Sequence, residues 1–199
     1  MPPNGPLPPP VSPRERPVED DAGLATRAGR GDAQAFGVLY DRYVDAVYRY
    51  AFYRVRNEAE AEDVTSDVFF KALRAIPRYR PRQPFLAWLY RIARNALIDR
   101  ARRSRTQVSF EDALAHPDAD RVVDPDVSLL AASDSMTLRA ALAQLTPLQQ
   151  EVVVLRYVEG LDTKQIGRIV GRRDGTVRGI EFRALAALQR LIPSREALS

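Results

Sequence analysis

The 199-residue sequence contains no cysteine and a single histidine, His116. The absence of cysteine excludes a disulfide framework and a thiolate zinc site, and it suits a reducing cytoplasm. One histidine cannot form a histidine metal cluster, so we expect no metal and no cofactor. Long apolar runs are also missing, which predicts that no segment inserts into a membrane. The stretch "MPPNGPLPPPVSP" has no apolar signal core, so the sequence predicts a cytoplasmic protein rather than an exported one.

Sequence patterns typical of β-strands are scarce as well, and so are groups of residues that could form a catalytic site. The β-branched run "EVVVL" lies inside a segment that begins like a capped helix, so we expect it to be helical. Glu60, Glu62 and Asp63 are close in sequence, but helical spacing brings no histidine, cysteine or lysine beside them. No glycine-rich phosphate loop is present either. The sequence therefore predicts an all-α protein that is not an enzyme.

Charge is unevenly distributed along the chain, although the net charge is only +4. The window 78–105 carries nine arginines and one acid, and the window 163–190 carries seven basic residues and two acids. Between them, residues 106–135 carry seven acids and one arginine. Two basic blocks separated by an acidic one are a charge asymmetry that needs an explanation.

Helical periodicity predicts two small helical domains joined by a flexible acidic linker. A proline-rich tail, residues 1–22, is expected to be disordered, and residues 106–135 are expected to form the linker with at most short helical turns. Asp32 is a predicted helix cap, and Thr146, Pro147 and Gln149 fit a capping box. The predicted inward positions of the first two helices are Phe36, Tyr40, Tyr43, Val47, Tyr50, Ala51, Ala61, Val64, Val68, Phe69, Ala72 and Ile76. Those of the third helix, which begins near Pro84, are Phe85, Leu89, Ile92 and Ala96.

The carboxy-terminal block has the layout of a helix-turn-helix. "DTKQIGRIV" predicts a short amphipathic helix, "GRR" predicts a turn, and a longer basic helix follows from Asp174 or Gly175. The second helix of such a motif enters the major groove, where arginine can bond guanine through two parallel hydrogen bonds. The alternative is that Arg178 and Arg183 are only solvated surface. The predicted DNA-contacting residues are Arg172, Arg173, Thr176, Arg178, Gly179, Phe182 and Arg183.

The first basic block combines arginines with the densest aromatic cluster of the chain, which includes its only tryptophan. Arginines hold phosphates and flat side chains stack on unpaired bases, so this loop and helix could hold single-stranded DNA. The alternative is that Phe85 and Trp88 belong to the core and only the arginines are functional. The predicted DNA-contacting residues are Arg78, Tyr79, Arg80, Arg82, Trp88, Arg91, Arg94, Asn95 and Arg102.

Four segments in order resemble the successive blocks of extracytoplasmic-function (ECF) sigma factors, small initiation factors of the bacterial sigma-70 superfamily. They are "AEDVTSDVFFKALRAI", "PFLAWLYRIARNALIDRARR", "LTPLQQEVVVLRYVEGLDTKQIGRIVG" and "GTVRGIEFRAL". The resemblance implies a region 2 domain, residues 23–105, that binds core polymerase and melts the −10 promoter element. It also implies a region 4 helix-turn-helix domain, residues 136–192, that reads the −35 element as duplex, with residues 193–199 as a tail.

The resemblance further implies partners. They are core RNA polymerase, through its beta-prime clamp helices and beta flap, promoter DNA, and an anti-sigma factor as a candidate third partner. Residues 77–83 would capture an unpaired base, and the acidic linker would run through the active-site cleft and RNA exit path of the polymerase. The implied polymerase-binding residues are Asp63, Ser66, Asp67, Phe70 and Arg74, with an ordinary solvated face as the alternative.

The sequence departs from the family pattern before the recognition helix, where Arg172, Arg173 and Asp174 precede the glycine-threonine pair and Asp174 is a candidate cap. "RGIEF" also replaces a stretch that is more polar or basic in the family. The resemblance therefore does not predict which bases of the upstream (−35) element this chain prefers. The competing hypothesis is a helix-turn-helix regulator that binds DNA without being a polymerase subunit. Such a regulator would need a sensor domain ahead of the motif, where this chain has a basic and aromatic helical block instead.

Overall fold

The computed structural model describes residues 19–55, 57–111 and 138–191, with side chains described as far as residue 103 in α4. No strand occurs within these ranges, so the predicted all-α class is confirmed. No helix among the described residues is long and apolar enough to cross a membrane. The elements are α1 (Asp21–Ala28), α2 (Ala33–Phe52), α3 (Glu58–Ala75), a 3-10 turn (Ile76–Arg78), α4 (Phe85–Glu111), α5 (Pro147–Val153), a π turn (Val154–Val158), α6 (Thr163–Val170) and α7 (Asp174–Leu191). Residues 138–142 are also helical.

The amino-terminal block packs α2, α3 and α4 around one apolar core, with α1 against α2. The predicted Asp32 cap is confirmed, since its Oδ1 accepts a hydrogen bond from the Ala35 amide at 3.0 Å. All six predicted inward positions of α3 and its end are buried. Tyr40 of α2 was placed inward, and this prediction is wrong, because 41% of the residue is exposed. It lies at the edge of the core, where its ring packs edge-on against Phe69 with 4.7 Å between the centroids.

Two boundaries differ from the sequence prediction. The tail was predicted to reach residue 22, but α1 begins at Asp21 because the Asp20 carboxylate caps the Gly23 amide at 2.8 Å. The linker was predicted to begin at Thr106, but α4 continues to Glu111. No proline or glycine interrupts the sequence between Pro84 and Glu111, so no residue of low helix propensity ends the helix earlier. The remaining predictions for residues 1–18 and 112–137 lie outside the described residues.

The carboxy-terminal block contains a capped helix, α5, and ends with the predicted helix-turn-helix. The capping box is confirmed, because Thr146 Oγ1 accepts from the Gln149 amide while Gln149 Oε1 accepts from the Thr146 amide. The run "EVVVL" is helical, as predicted, and all five of its residues are buried. α6 and α7 meet at a tight turn in which Gly171 adopts a left-handed conformation, with φ of 69°. That conformation favours glycine over residues with a side chain.

The turn between α6 and α7 depends on a close approach of backbone to Gly167. Its carbonyl accepts a hydrogen bond from the Arg172 amide at 2.9 Å. A Cβ atom at residue 167 would lie 2.6 Å from the Arg172 carbonyl oxygen, which is too close for two atoms that are not bonded. Only glycine fits there without a shift of the turn.

We therefore predict that Gly167→Ala lowers the stability of the chain by about 1–3 kcal/mol, the usual cost of overpacking. Thermal unfolding followed by circular dichroism measures the effect. Gly175→Ala is the matched control, because a Cβ at that α7 position would meet no atom within 4 Å apart from its chain neighbours and the backbone of its own helix. Equal melting temperatures for the two variants would show that the turn tolerates a side chain at residue 167.

Candidate nucleic-acid interface

The outer face of α7 and the turn before it carry the predicted recognition residues. Its inner face is fixed by the buried side chains Val177, Ile180, Ala184 and Leu188. The opposite face is exposed, and 75% of Phe182 is accessible to solvent. All the predicted DNA-contacting residues of this block are exposed except Gly179, which is half-buried.

The charge of this face is partly compensated at the start of α7. Asp174 is the first residue of the helix rather than the residue before it, and its Oδ2 accepts a hydrogen bond from Arg178 at 2.8 Å. Arg178 would have to exchange this exposed ion pair for a base or a phosphate. Lys164 and Arg168 of α6 border the same cleft as Arg172 and Arg173 and extend the basic surface, although neither was predicted as a contact.

The loop that precedes α4 is held by Tyr79. Its hydroxyl donates a hydrogen bond to the Gln83 carbonyl at 2.9 Å. Its ring packs against Trp88, with 4.9 Å between the centroids, and against Phe85 at 5.4 Å. Phe85 is buried in the core, as the alternative interpretation held, whereas Trp88 is half-buried. The exposed arginines of the loop, Arg78, Arg80 and Arg82, therefore lie on a braced backbone.

An open cleft of about 670 Å³ lies between this loop and helices α1 and α2. Tyr43, Tyr79 and Phe85 form part of its wall, and Arg42 and Arg82 supply positive charge. Asp21 of α1 also borders it and bonds both Arg42 and Tyr43. Burial, and then the Asp21 contact, raise the pKa of Tyr43 to about 12, so its hydroxyl remains protonated at neutral pH. Sequence reasoning missed Arg42 and Tyr43, because a non-local contact with α1 and the loop gives them their place in the cleft.

The predicted contacts on α4 separate into two groups. Arg91, Asn95 and Arg102 are exposed. Arg94 is half-buried, and its Nε lies 3.2 Å from Glu151 Oε2 in the carboxy-terminal block. Three of these four predicted DNA-contacting residues are thus open to solvent. The fourth, Arg94, pairs with a carboxylate.

The candidate polymerase-binding residues form an exposed stripe on α3. The Asp63 side chain is 70% exposed and Phe70 is 59% exposed. The Arg74 guanidinium lies 5.7 Å from the Phe70 ring centre, and Asp67 pairs with Lys71 at 2.6 Å. Ser66 is exposed, and Leu73, which was not predicted, adds a second exposed apolar side chain at 48%. An apolar centre among charges is typical of protein interfaces.

Comparison with known proteins gives matches to both helical blocks. Residues 39–107 match sigma-70 region 2, and residues 141–190 match sigma-70 region 4. The ECF RNA polymerase sigma factor BldN of Streptomyces coelicolor is 40% identical over 173 residues, which are 85% of this chain and 65% of BldN. The chain thus spans less than two thirds of the length of that relative.

Two further matches cover most of this chain and most of the matched protein. The RNA polymerase sigma factor CarQ of Myxococcus xanthus is 35% identical over 169 residues, which are 83% of this chain and 94% of CarQ. The solved structure of CnrH in complex with the cytosolic domain of CnrY superposes with a TM-score of 0.66 at 26% identity. That match covers 86% of this chain and 96% of the CnrH chain.

The packing of Tyr79 on Trp88 predicts a spectroscopic effect. Tyr79→Ala removes the ring that covers part of the only tryptophan, so the emission maximum of the folded protein should shift to longer wavelength. Tyr157→Ala, at an exposed position in the other block, is the control and should leave the emission unchanged. An unshifted spectrum for Tyr79→Ala would show that the loop does not cover Trp88 in solution.

Proposed function

Because the chain belongs to the extracytoplasmic-function sigma factors of the sigma-70 family, we propose that it binds core RNA polymerase and directs it to specific promoters. The −35 element would be read as duplex by the carboxy-terminal block, and the −10 element would be opened by the amino-terminal block. The observation that carries this proposal is that each family match falls on a separate helical block with its own exposed basic surface.

The proposed domains follow the two blocks. Region 2 comprises α1 to α4, which extends the predicted range 23–105 at both ends, to Asp21 and to Glu111. Region 4 comprises residues 136–192, including the helix-turn-helix of α6 and α7. The acidic segment between them would follow the polymerase cleft toward the RNA exit path.

Recognition of the −35 element is supported by the orientation of α7. Its apolar face is buried in the domain, so the helix can enter a major groove with Thr176, Arg178, Phe182 and Arg183 facing the bases. Lys164 and Arg168 border the turn and would bind the flanking phosphates. Arginine supplies base readout, and phosphate contacts supply affinity that decreases with salt.

Opening of the −10 element is supported by the cleft beside the loop at residues 77–83. An extruded base loses its stacking energy, a cost of a few kcal/mol that aromatic contacts in a pocket can offset. Tyr43, Tyr79 and Phe85 supply flat walls, and Arg82 can hold a phosphate beside the base. Arg42 can hold a second phosphate only by exchanging its ion pair with Asp21. The exposed α4 residues Arg91, Asn95 and Arg102 continue the basic surface along the strand. Trp88, which is half-buried beside Tyr79, would also take part.

Binding of core polymerase is proposed through the α3 stripe at the beta-prime clamp helices and through region 4 at the beta flap. An anti-sigma factor remains a predicted third partner. The similar protein CnrH was solved with the cytosolic domain of another protein, CnrY, bound to it. A helix-turn-helix regulator would bind its duplex site without polymerase, so unaided specific binding to duplex promoter DNA would favour that competing function.

The proposal predicts that transcription from a cognate promoter needs both this chain and core RNA polymerase. Such promoters can be selected from a genomic library by transcription in vitro. Asp63→Arg combined with Phe70→Ala should weaken polymerase binding at least about tenfold, because it reverses a charge and removes an exposed apolar anchor. Pull-down with core polymerase measures the affinity.

Glu62→Arg is the control for this variant, since it reverses an exposed acid on the same helix but outside the stripe. Its affinity should stay near that of the unmodified chain, and circular dichroism should show that all variants remain helical. If the stripe variant binds polymerase as tightly as the control, the assignment of this surface to the polymerase is wrong.

The recognition helix gives a separate prediction. Arg183→Ala should lower transcription from promoters that contain the −35 element and relax the base preference there, since a bidentate base contact contributes about 1–3 kcal/mol. Arg190→Ala removes an exposed arginine from the last turn of the same helix and should leave the preference unchanged. Identical −35 preferences for both variants would mean that Arg183 is only solvated surface.

A further inference from the structure

The cleft beside the loop at residues 77–83 has two walls that differ in their hydrogen-bonding groups. One wall is the loop itself, which carries Arg82, and the other is the start of α1, with the acids Glu19, Asp20 and Asp21. A base that enters the cleft therefore meets side chains of α1 that were not predicted as DNA contacts. The preferred base depends on which of these groups are still free, because the protein itself can satisfy a donor or an acceptor.

The side-chain donors near α1 are already engaged within the protein. The Tyr43 hydroxyl donates a hydrogen bond to Asp21, and the Arg42 guanidinium donates to the same carboxylate. A second Arg42 nitrogen donates to the Glu19 carbonyl at 3.3 Å. In the loop, the Tyr79 hydroxyl donates to a backbone carbonyl. A phenol has one hydrogen to donate, so both tyrosines can only accept a hydrogen bond from a base.

Asp20 keeps a carboxylate oxygen free at this wall. Its Oδ1 accepts a hydrogen bond from the Gly23 amide at 2.8 Å and caps α1. Nothing among the described residues donates to its Oδ2, and the residue is exposed. The neighbouring carboxylates are committed, since Asp21 is bonded through both oxygens and Glu19 pairs with Arg27. The α1 wall therefore offers the cleft a charged hydrogen-bond acceptor.

The position of Asp20 relative to the loop is fixed by the packing of α1. Three residues of this helix are buried in the core of the block. At its other end, a Cβ atom at Gly29 would lie only 3.2 Å from the Ile76 carbonyl oxygen and 3.4 Å from the Pro77 Cα, so the helix lies directly against the start of the loop. The capping bond holds the carboxylate itself. Such rigid support allows a single hydrogen bond to discriminate between ligands.

We propose that Asp20 is a specificity-determining residue of the −10 cleft, which favours a base with an exocyclic amino group over thymine. Its free Oδ2 would accept a hydrogen bond from that amino group. Thymine is the only DNA base that lacks one, and where cytosine carries its amino group thymine presents a carbonyl oxygen. Carboxylates accept from the cytosine amino group in duplex DNA in the same way. This inference rests on the proposed function, since a base enters the cleft only if the chain opens the −10 element.

The negative charge of Asp20 alone would not rank the bases. Repulsion between a carboxylate and the DNA phosphates acts on every sequence alike, because phosphates carry no sequence information. A hydrogen bond to a base edge does change the ranking. A site that hydrogen-bonds one group of its ligand also rejects an analogue without that group, since its own polar atom is then left unpaired. Base preference and overall affinity are therefore separate readouts.

The test compares thymidine with 5-methyldeoxycytidine, which has the same methyl group but an amino group in place of one carbonyl oxygen. Each is placed in turn at the non-template positions of a pre-melted −10 element, opposite a non-complementary template strand, so that base pairing makes no contribution. Holoenzyme is reconstituted from core polymerase and the full chain. Competition binding measures its relative affinity for the two promoters, and the position with the largest difference identifies the captured base.

The unmodified chain should bind the 5-methylcytosine promoter at least about fivefold more tightly than the thymine promoter, the usual effect of a hydrogen bond to a charged group. Asp20→Asn should remove or reverse this preference. Asparagine caps helices as well as aspartate does, so Oδ1 can keep its bond to the Gly23 amide while an NH2 donor replaces Oδ2. Circular dichroism should show that the variant keeps its helical content.

Glu19→Gln is the matched control. It removes the same negative charge from the same wall of the cleft and leaves Asp20 in place. It should change the affinity for both promoters by the same factor and keep their ratio. Deoxycytidine, deoxyadenosine and deoxyguanosine at the identified position then show which amino-bearing base is preferred.

Equal affinity of the unmodified holoenzyme for the two promoters at every position would overturn the role of Asp20. A preference that Asp20→Asn leaves unchanged would overturn it too, as would one that Glu19→Gln alters to the same extent, since the effect would then be one of charge. Failure of the proposed function has a different signature, because holoenzyme made with the unmodified chain would then bind neither promoter better than core polymerase alone.

Discussion

The relative position of the two helical blocks depends on the burial of one carboxylate, that of Glu151. It begins the run "EVVVL", whose other members form apolar core, so its side chain leaves water together with them. A buried carboxylate without partners costs several kcal/mol, and breaking a buried ion pair typically costs about 3–5 kcal/mol. The partners are Tyr50 of α2, Arg54 in the turn that follows α2, and Arg94 of α4, all in the other block. The end of α2 and the first half of α4 are therefore positioned by a group that lies in the second block.

This constraint connects the fold to its DNA-binding surfaces. In α4, Phe85, Leu89 and Ala93 face the core and most arginines face outward. In α7, Val177 and Ile180 are buried in the same way, and Arg178 and Arg183 are exposed. Each block thus uses its core to orient a basic face. Contact between the blocks places α6 of the second block beside α4 of the first. The two basic faces are thus held in one arrangement, in which acidic side chains of the second block pair with arginines of the first.

The features that could be predicted from the sequence are local. The Asp32 cap and the capping box at Thr146 involve residues three positions apart, and the buried set of α3 follows from helical spacing alone. The helix-turn-helix was predictable because its turn needs glycine both at Gly171 and at Gly167. The missed α1 had a local signal too, since Asp20 precedes it and Arg27 lies in its last turn. No local sequence signal identified the partners of Glu151, because Tyr50 lies 101 positions away in the sequence. For the same reason Arg94 could not be distinguished from Arg91, as charge alone does not identify the arginine that faces a carboxylate.

The central claim is that Glu151 and Arg94 interact in the free chain, and a double-mutant cycle measures that interaction directly. Glu151→Gln, Arg94→Ala and the double variant would be compared with the unmodified chain by urea unfolding, followed both by helical circular dichroism and by Trp88 fluorescence. Contacting groups in one polar network show coupling free energies of about 0.5–3 kcal/mol. The account predicts a favourable coupling of about 1 kcal/mol or more, since Glu151 is buried and Arg94 is one of its two cations. Additive effects, with no coupling beyond experimental error, would contradict it.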